Sequence, residues 1–249
     1  MAKNISFVIG VLTLGIQACS PVKTGEIPKI ERPTITPGNQ VTPTGEEICE
    51  SCIDVPVGST PIIDGEISPG EWEDSWIGGF SDESKLFLKI NDGYLYLGIQ
   101  ADTNEMIAGN VFLNRGDEIF IFHSSAALGT AIYKDGGSYW TQMQPFSWRC
   151  RGIGGSEVDR NERDEFFESN GWLAANARMG KPNEQEFKIF LTDGVLKMAV
   201  NFIEGSKQDS KTPWPIGLND DVILPTPGGF PLEMDFNPSY WGLLQFGMK

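Results

Sequence analysis

The chain has 249 residues, 40% hydrophobic and 11% aromatic, enough for one large domain with a core plus a tail. Its formal charge is −15, from 19 basic and 34 acidic residues. That balance argues against nucleic acid and anionic membrane surfaces as ligands, because phosphate recognition needs Lys and Arg clusters; it suits neutral ligands or cations.

Residues 1–18 read as a targeting segment. Lys3 supplies the positive start, and Ile5 to Ile16 form an apolar run too short to span a bilayer as a helix. The run ends in Ile16-Gln17-Ala18-Cys19, which has the form of a bacterial lipobox, with Cys19 as the lipidated first residue. A multiply acylated cysteine anchors stably. The expected location is therefore the bacterial cell envelope, as an outer-membrane or surface lipoprotein. Residues 19–54 form a Pro/Thr-rich tether with no apolar period, including Pro21, Pro28, Pro33, Pro37 and Pro43. With Cys19 acylated, Cys49, Cys52 and Cys150 remain, and an exported location favours a disulfide. Pairing of Cys150 with Cys49 or Cys52 would staple the tether to the domain; a Cys49–Cys52 pair alone would close a small loop.

The domain, 55–249, alternates like a β protein. Ser68-Pro69-Gly70-Glu71 has the form of a capping box, with Trp72 and Trp76 on one face of the helical turn that follows. Lys85 to Ile90 and Tyr94 to Ala101, joined by Asn91-Asp92-Gly93, form a hairpin. Glu118 to Ser124 is apolar on both faces, as in a central strand. A second hairpin turns at Asp135-Gly136-Gly137, and a third joins Glu186–Leu191 to Val195–Phe202 through Asp193-Gly194. Glu157 to Ser169 reads as a surface helix stopped by Asn170-Gly171. Thr212 to Pro238 is a long Pro- and Gly-rich loop, and Tyr240 to Phe246 is an edge or returning strand. The fold class is all-β, an antiparallel β-sandwich of jelly-roll or immunoglobulin-like form, with short helical turns and a long decorated loop.

Four stretches, Ile63-Asp64-Gly65, Glu71-Trp72, Leu95-Tyr96-Leu97 with Ala101-Asp102, and Asp117-Glu118, resemble the opening of a family 9 carbohydrate-binding module and the related DOMON β-sandwiches. These elements set a fold and do not mark a site. The resemblance implies a non-catalytic module for neutral oligo- or polysaccharide, serving a partner glycan-degrading enzyme. Two alternatives come with it. One is a glycan-acting hydrolase, for which the chain leaves no room for a separate catalytic domain. The other is a DOMON-like haem carrier, with His123 and a methionine such as Met143 as axial ligands.

Sugar rings present apolar C–H faces on which indoles stack, so tryptophans in loops or at strand ends are the candidates: Trp140, Trp148, Trp172 and Trp214. Arg149 and Arg178 are placed beside them as hydrogen-bond donors. Trp72, Trp76 and Trp241 are expected in the core. His123, the one histidine, excludes a multi-histidine zinc site and reads as a satisfied core histidine in its strand. Asp102, Asp117 and Glu118 could join a calcium site, although turn-forming roles explain them more simply. No cofactor is otherwise implied.

Overall fold

A computed structural model describes residues 51–80, 83–125, 127–150, 157–176, 181–192, 194–205, 212–218 and 231–247, without the side chains of 147–150, 157–160 and 212. Residues 1–50, on which the expected signal segment, most of the expected tether, Cys19 and Cys49 fall, and Arg178 lie outside this description, as do the side chains of Trp148 and Arg149.

Two sheets pack face to face as a sandwich. The larger runs, in spatial order, β1 (Ile53–Val55), β14 (Gly242–Phe246), β11 (Val195–Glu204), β5 (Ile107–Arg115), β6 (Glu118–Ser124), β7 (Ala127–Asp135), β8 (Trp140–Cys150) and β13 (Glu233–Met234), with β12 (Thr212–Trp214) beside β11. The smaller runs β2 (Trp76–Gly79), β3 (Lys85–Asn91), β4 (Tyr94–Gln100), β10 (Glu184–Phe190) and β9 (Trp172–Asn176). All pairings between these strands are antiparallel except β1 with β14. Among the described residues one α-helix, α1 (Glu157–Asn170), falls between β8 and β9 in the chain. The expected sandwich is therefore the observed one.

Period two places Leu86, Leu88, Leu95, Leu97, Phe187 and Ile189 in the central core. Asp92 and Gly93 both take positive φ, 48° and 79°, as a two-residue turn with right-handed strand twist requires. In β6, Phe122 faces the central core, while Ile119 and Ile121 face a second core on the far side of the larger sheet. That second core is covered by Met234, Phe236 and Trp241.

Two local expectations are corrected. Ser68 to Ser75 forms turns, not a helix. The Ser68 side chain does not cap; the Glu71 carboxylate instead accepts from the Ser68 amide at 3.3 Å and from the Ile62 amide at 2.5 Å. Trp72 and Trp76 consequently part company. Trp76 enters β2 and packs inward at 5.9 Å from Trp214, while Trp72 lies on the outer face of the smaller sheet with Ile67, Phe87 and Tyr96. Second, β10 and β11 do not pair. β10 lies between β4 and β9, and β11 lies in the other sheet, so the connection crosses the sandwich. Alternation is the same in a hairpin and in such an arch, which is why the two read alike.

Residues 56–75 explain why the smaller sheet is buried on both faces. Glu186, on the outer face of β10, accepts from the amides of Asp64 (3.0 Å) and Gly65 (2.8 Å) through one oxygen, and from Trp72 Nε1 (3.0 Å) through the other. Glu184 accepts from the Ile67 amide and from Gln100 Nε2, both at 2.8 Å. Lys89, fully buried, donates to Asp74 (3.0 Å), Ser59 (3.3 Å) and the Glu71 carbonyl. The Ile-Asp-Gly turn and its tryptophan are thus a clamp built on buried carboxylates, held because a buried charge must be paired or hydrogen-bonded.

Candidate functional site

A cavity of about 190 Å³ opens at one end of the sandwich. Five elements meet there. β4 contributes its first residue Tyr94, β5 its last residue Arg115, β6 Phe120, β10 its last residue Phe190, and the end of α1 Phe167. A wider depression of about 540 Å³ adjoins it, sharing Arg115, Phe120 and Thr192 and adding Asn114, Glu118 and Val195.

The geometry follows from how α1 ends. Phe166 is buried, edge-on to Trp172 at 5.3 Å, and fixes the last turns of the helix to the core. Its neighbour Phe167 lies about 100° further round the helix and is only half-buried, at the cavity. Gly171, at φ 71°, ends the helix, and its carbonyl accepts from the Phe190 amide at 2.8 Å. The Tyr94 ring then sits 5.5 Å from Phe167 and 5.7 Å from Phe190. Behind it, the Lys188 ammonium lies 4.2 Å from the Tyr94 ring centre and 4.6 Å from that of Phe167. Burial holds the Lys188 pKa below the usual lysine range, and Asp92 opposes that shift.

Arg115 joins the two sheets across the cavity. Its Nη2 donates to the Phe190 carbonyl at 2.8 Å, and its guanidinium lies 5.0 Å from the centre of the Phe120 ring. Half-buried rings, a guanidinium, and the polar side chains of Glu168, Asn170 and Thr192 therefore surround one small volume. Such a site can grip an apolar face while satisfying polar groups at its edge.

The tryptophans chosen from the sequence are elsewhere. Trp172 is fully buried, stacked on Phe122 (4.9 Å, 26°) and near-parallel to Phe187 at 6.3 Å, with Nε1 donating to Thr130 Oγ1 at 2.8 Å. Trp214 is also buried, against Trp76. Neither leaves a ring face for a ligand, which corrects their assignment to a binding site. Both sit next to loops, but the sandwich interior reaches those positions. Trp140 is half-buried at the β8–β13 edge, donating to the Phe236 carbonyl at 2.9 Å. Trp148 and Arg149 pair through the backbone with Gly129 and Leu128, on strands away from the cavity.

His123 is 7% exposed with both ring nitrogens in hydrogen bonds, and Met143 is exposed on β8, so these two do not form a haem ligand pair. Asp117 pairs with Lys134 at 3.3 Å, and among the described residues no three His, Cys, Asp or Glu side chains gather as metal ligands. Cys52 is disulfide-bonded. It precedes β1, Cys150 ends β8, and the Cys150 side chain and all of Cys49 lie outside the described residues.

Sequence reasoning missed Tyr94, Arg115, Phe120, Phe167 and Phe190. Four of them are in strands, where alternation assigns a side chain to a face but does not say which side chains of other elements it meets. The usable signal was Phe166-Phe167, an adjacent aromatic pair in a charged helix: one ring can anchor while the other is displayed.

Fold and site together define a two-sheet β-sandwich with an aromatic pocket at one end. No family model matches the chain, and no curated protein matches it. Among solved structures, the chain is similar to a protein from Bacteroides uniformis described as a "putative carbohydrate-binding protein", at 14% identity and a TM-score of 0.44, over 79% of this chain and 99% of that one.

Proposed function

We propose that the chain is a carbohydrate-binding module whose sandwich-end pocket holds neutral glycan without acting on it. The carrying observation is the convergence of Tyr94, Phe120, Phe167 and Phe190 with Arg115 around one cavity. Rings shed water together with the apolar face of a sugar, while the guanidinium and the amide of Asn170 meet its hydroxyls. The cavity is smaller than the roughly 300 Å³ at which drug-sized sites begin, so one sugar ring or a chain end fits it. The adjoining depression would take the next sugar. The net negative charge, which disfavours anionic ligands, suits the same ligand class.

Display on the bacterial envelope through acylated Cys19, beside a glycan-degrading enzyme, belongs to this proposal. Partitioning of the full-length protein into the aqueous phase of a detergent extraction would remove the anchor. For the ligand, calorimetric titration with neutral oligosaccharides should give affinities on the order of micromolar to millimolar, about 4 to 8 kcal/mol. Phe167→Ala should weaken binding by about 2 kcal/mol, as expected of an interface anchor. Wild-type binding that survives both Phe167→Ala and Arg115→Ala would move the site elsewhere; absence of binding to any neutral glycan would end the carbohydrate reading.

A further inference from the structure

At the opposite end of β6 from the pocket, three polar residues occupy one row of the larger sheet's outer face. Asn201 of β11 is opposite Asn110 of β5, which is opposite His123 of β6. Two residues beyond His123, Ser125 opens the turn to β7.

The hydrogen-bond chain assigns the protons. Asn110 Nδ2 donates to Asn201 Oδ1 at 2.8 Å, which turns Asn110 Oδ1 toward the imidazole, 2.8 Å from His123 Nδ1. An amide oxygen only accepts, so the neutral ring carries its hydrogen on Nδ1. Nε2 then presents a lone pair, 2.9 Å from Ser125 Oγ, and the hydroxyl donates to it. The Ala127 carbonyl is a more distant acceptor for that hydroxyl, at 3.5 Å. Burial is graded along the chain: Asn110 is fully buried, His123 7% exposed and Ser125 half-buried. Phe146 stands edge-on to the imidazole at 6.2 Å. A hydroxyl at the open end, a base behind it and an orienting amide deepest is the order a nucleophilic relay needs.

We propose that Ser125, His123 and Asn110 form an acyl-transfer site for small carboxylic esters, separate from the sugar pocket and independent of it. Ser125 Oγ attacks the ester carbonyl carbon as its proton passes to His123 Nε2. The new Oγ–C bond persists while the ester C–O bond breaks, and Nε2 returns the proton to the departing alkoxide. Water then attacks the acyl carbon, giving its proton to Nε2. The Oγ–C bond breaks, Oγ regains a proton and the carboxylic acid leaves. Asn110 is the positioning residue: it holds the tautomer and ring orientation. Being uncharged, it does less for the transient imidazolium than a carboxylate would, so turnover should be slow.

The test is covalent labelling of the purified protein with a fluorophosphonate, read by intact mass and peptide mapping, alongside p-nitrophenyl acetate hydrolysis. The expected result is a single adduct on Ser125, absent in Ser125→Ala, with hydrolysis falling by about a hundredfold in that variant. Ser125 lies at a turn, and circular dichroism would verify that the variant folds. Asn110→Asp, which keeps an acceptor for Nδ1–H, should label, and Asn110→Leu should not. No adduct on the folded wild type, an adduct on another serine instead, or hydrolysis unchanged in Ser125→Ala would overturn the site. Labelling of Asn110→Leu at the wild-type rate would overturn the positioning role.

Discussion

Replacing Glu186 by glutamine should change how stability depends on pH. Burial pushes the Glu186 carboxyl up from 4.5 to about 7, against the opposing bonds from Gly65, Trp72 and Asp64 and with help from nearby Glu71. A folded-state pKa above the unfolded one means that the native protein binds the proton more tightly. The stability this contributes is complete below 4.5 and lost as pH rises through 7. At about 1.4 kcal/mol per pKa unit, the whole effect is about 3 kcal/mol, most of it falling between about pH 5 and about pH 8. For a domain of roughly 200 residues that is a melting-temperature difference of about 5 to 10 °C. Below about pH 5 Glu186→Gln should be less stable than wild type by about 1 to 3 kcal/mol, since its amide NH₂ must face either the Trp72 indole or the two turn amides, donor against donor, and the difference should shrink as pH rises through 7. Its pH slope across this window should be flatter than wild type. Asp74 does not blur the comparison. Burial raises its pKa, but the Ser59 amide, the Lys89 ammonium and the Ser59 hydroxyl together outweigh that and hold it at about 2. Its contribution is therefore lost only as pH falls below 3.8 toward 2. The assay is thermal melting of both proteins at several pH values. Parallel curves would refute the upward shift of the Glu186 carboxyl in the native state.

Gly109→Ala should destabilise by about 1 to 3 kcal/mol in urea melts, the range for overpacking. The new Cβ would lie 2.1 Å from Gln185 Oε1, and Gln185 is fully buried and fixed by two hydrogen bonds from its Nε2, at 2.9 Å to the Ser124 carbonyl and 2.8 Å to Asn176 Oδ1; an unchanged midpoint would show that the amide can swing away. Trp172→Ala should cost about 3 to 5 kcal/mol, as removal of a buried aromatic does, and Trp140→Ala clearly less; the reverse order of melting temperatures would contradict the placement of the two rings. Peptide mapping without reduction should find Cys150 linked to Cys49 or Cys52; recovery of Cys150 as a free thiol would remove that pairing.

The parts of this fold legible in the sequence are those set by neighbours in the chain. The β3–β4 hairpin follows from Asn91-Asp92-Gly93 between two alternating runs. The end of α1 follows from Asn170-Gly171, and the central place of β6 from apolar residues on both of its faces. What was not legible depends on partners far away in sequence. Glu184 and Glu186 alternate with Gln185 and Phe187 as outward polar positions should. Only residues 56–75, more than a hundred positions earlier, turn that outward face into an interior one. Likewise, nothing local separates a hairpin at residues 191–194 from an arch between sheets. The pocket draws one or a few residues from each of five elements, so no short window contains it.

That division also bears on where function resides. The residues that carry the family resemblance are engaged with the protein itself. The amides of Asp64 and Gly65 and the Trp72 indole donate to Glu186, and the Glu71 carboxylate holds the Ser68 and Ile62 amides. Groups committed in this way cannot also recognise a ligand without dismantling the clamp, at about 1 to 3 kcal/mol for each buried group left unsatisfied. The motif therefore accounts for one layer of the sandwich and is silent on the ligand. The proposed pocket lies instead at the ends of the strands, where backbone pairing stops and side chains from both sheets meet. Tyr94, Arg115 and Phe190 each occupy the terminal residue of a strand, and Phe167 is in the last turn of the helix. A rigid pair of sheets holds these four positions in register, and the chemistry of the pocket can change at those ends without disturbing the clamp beneath.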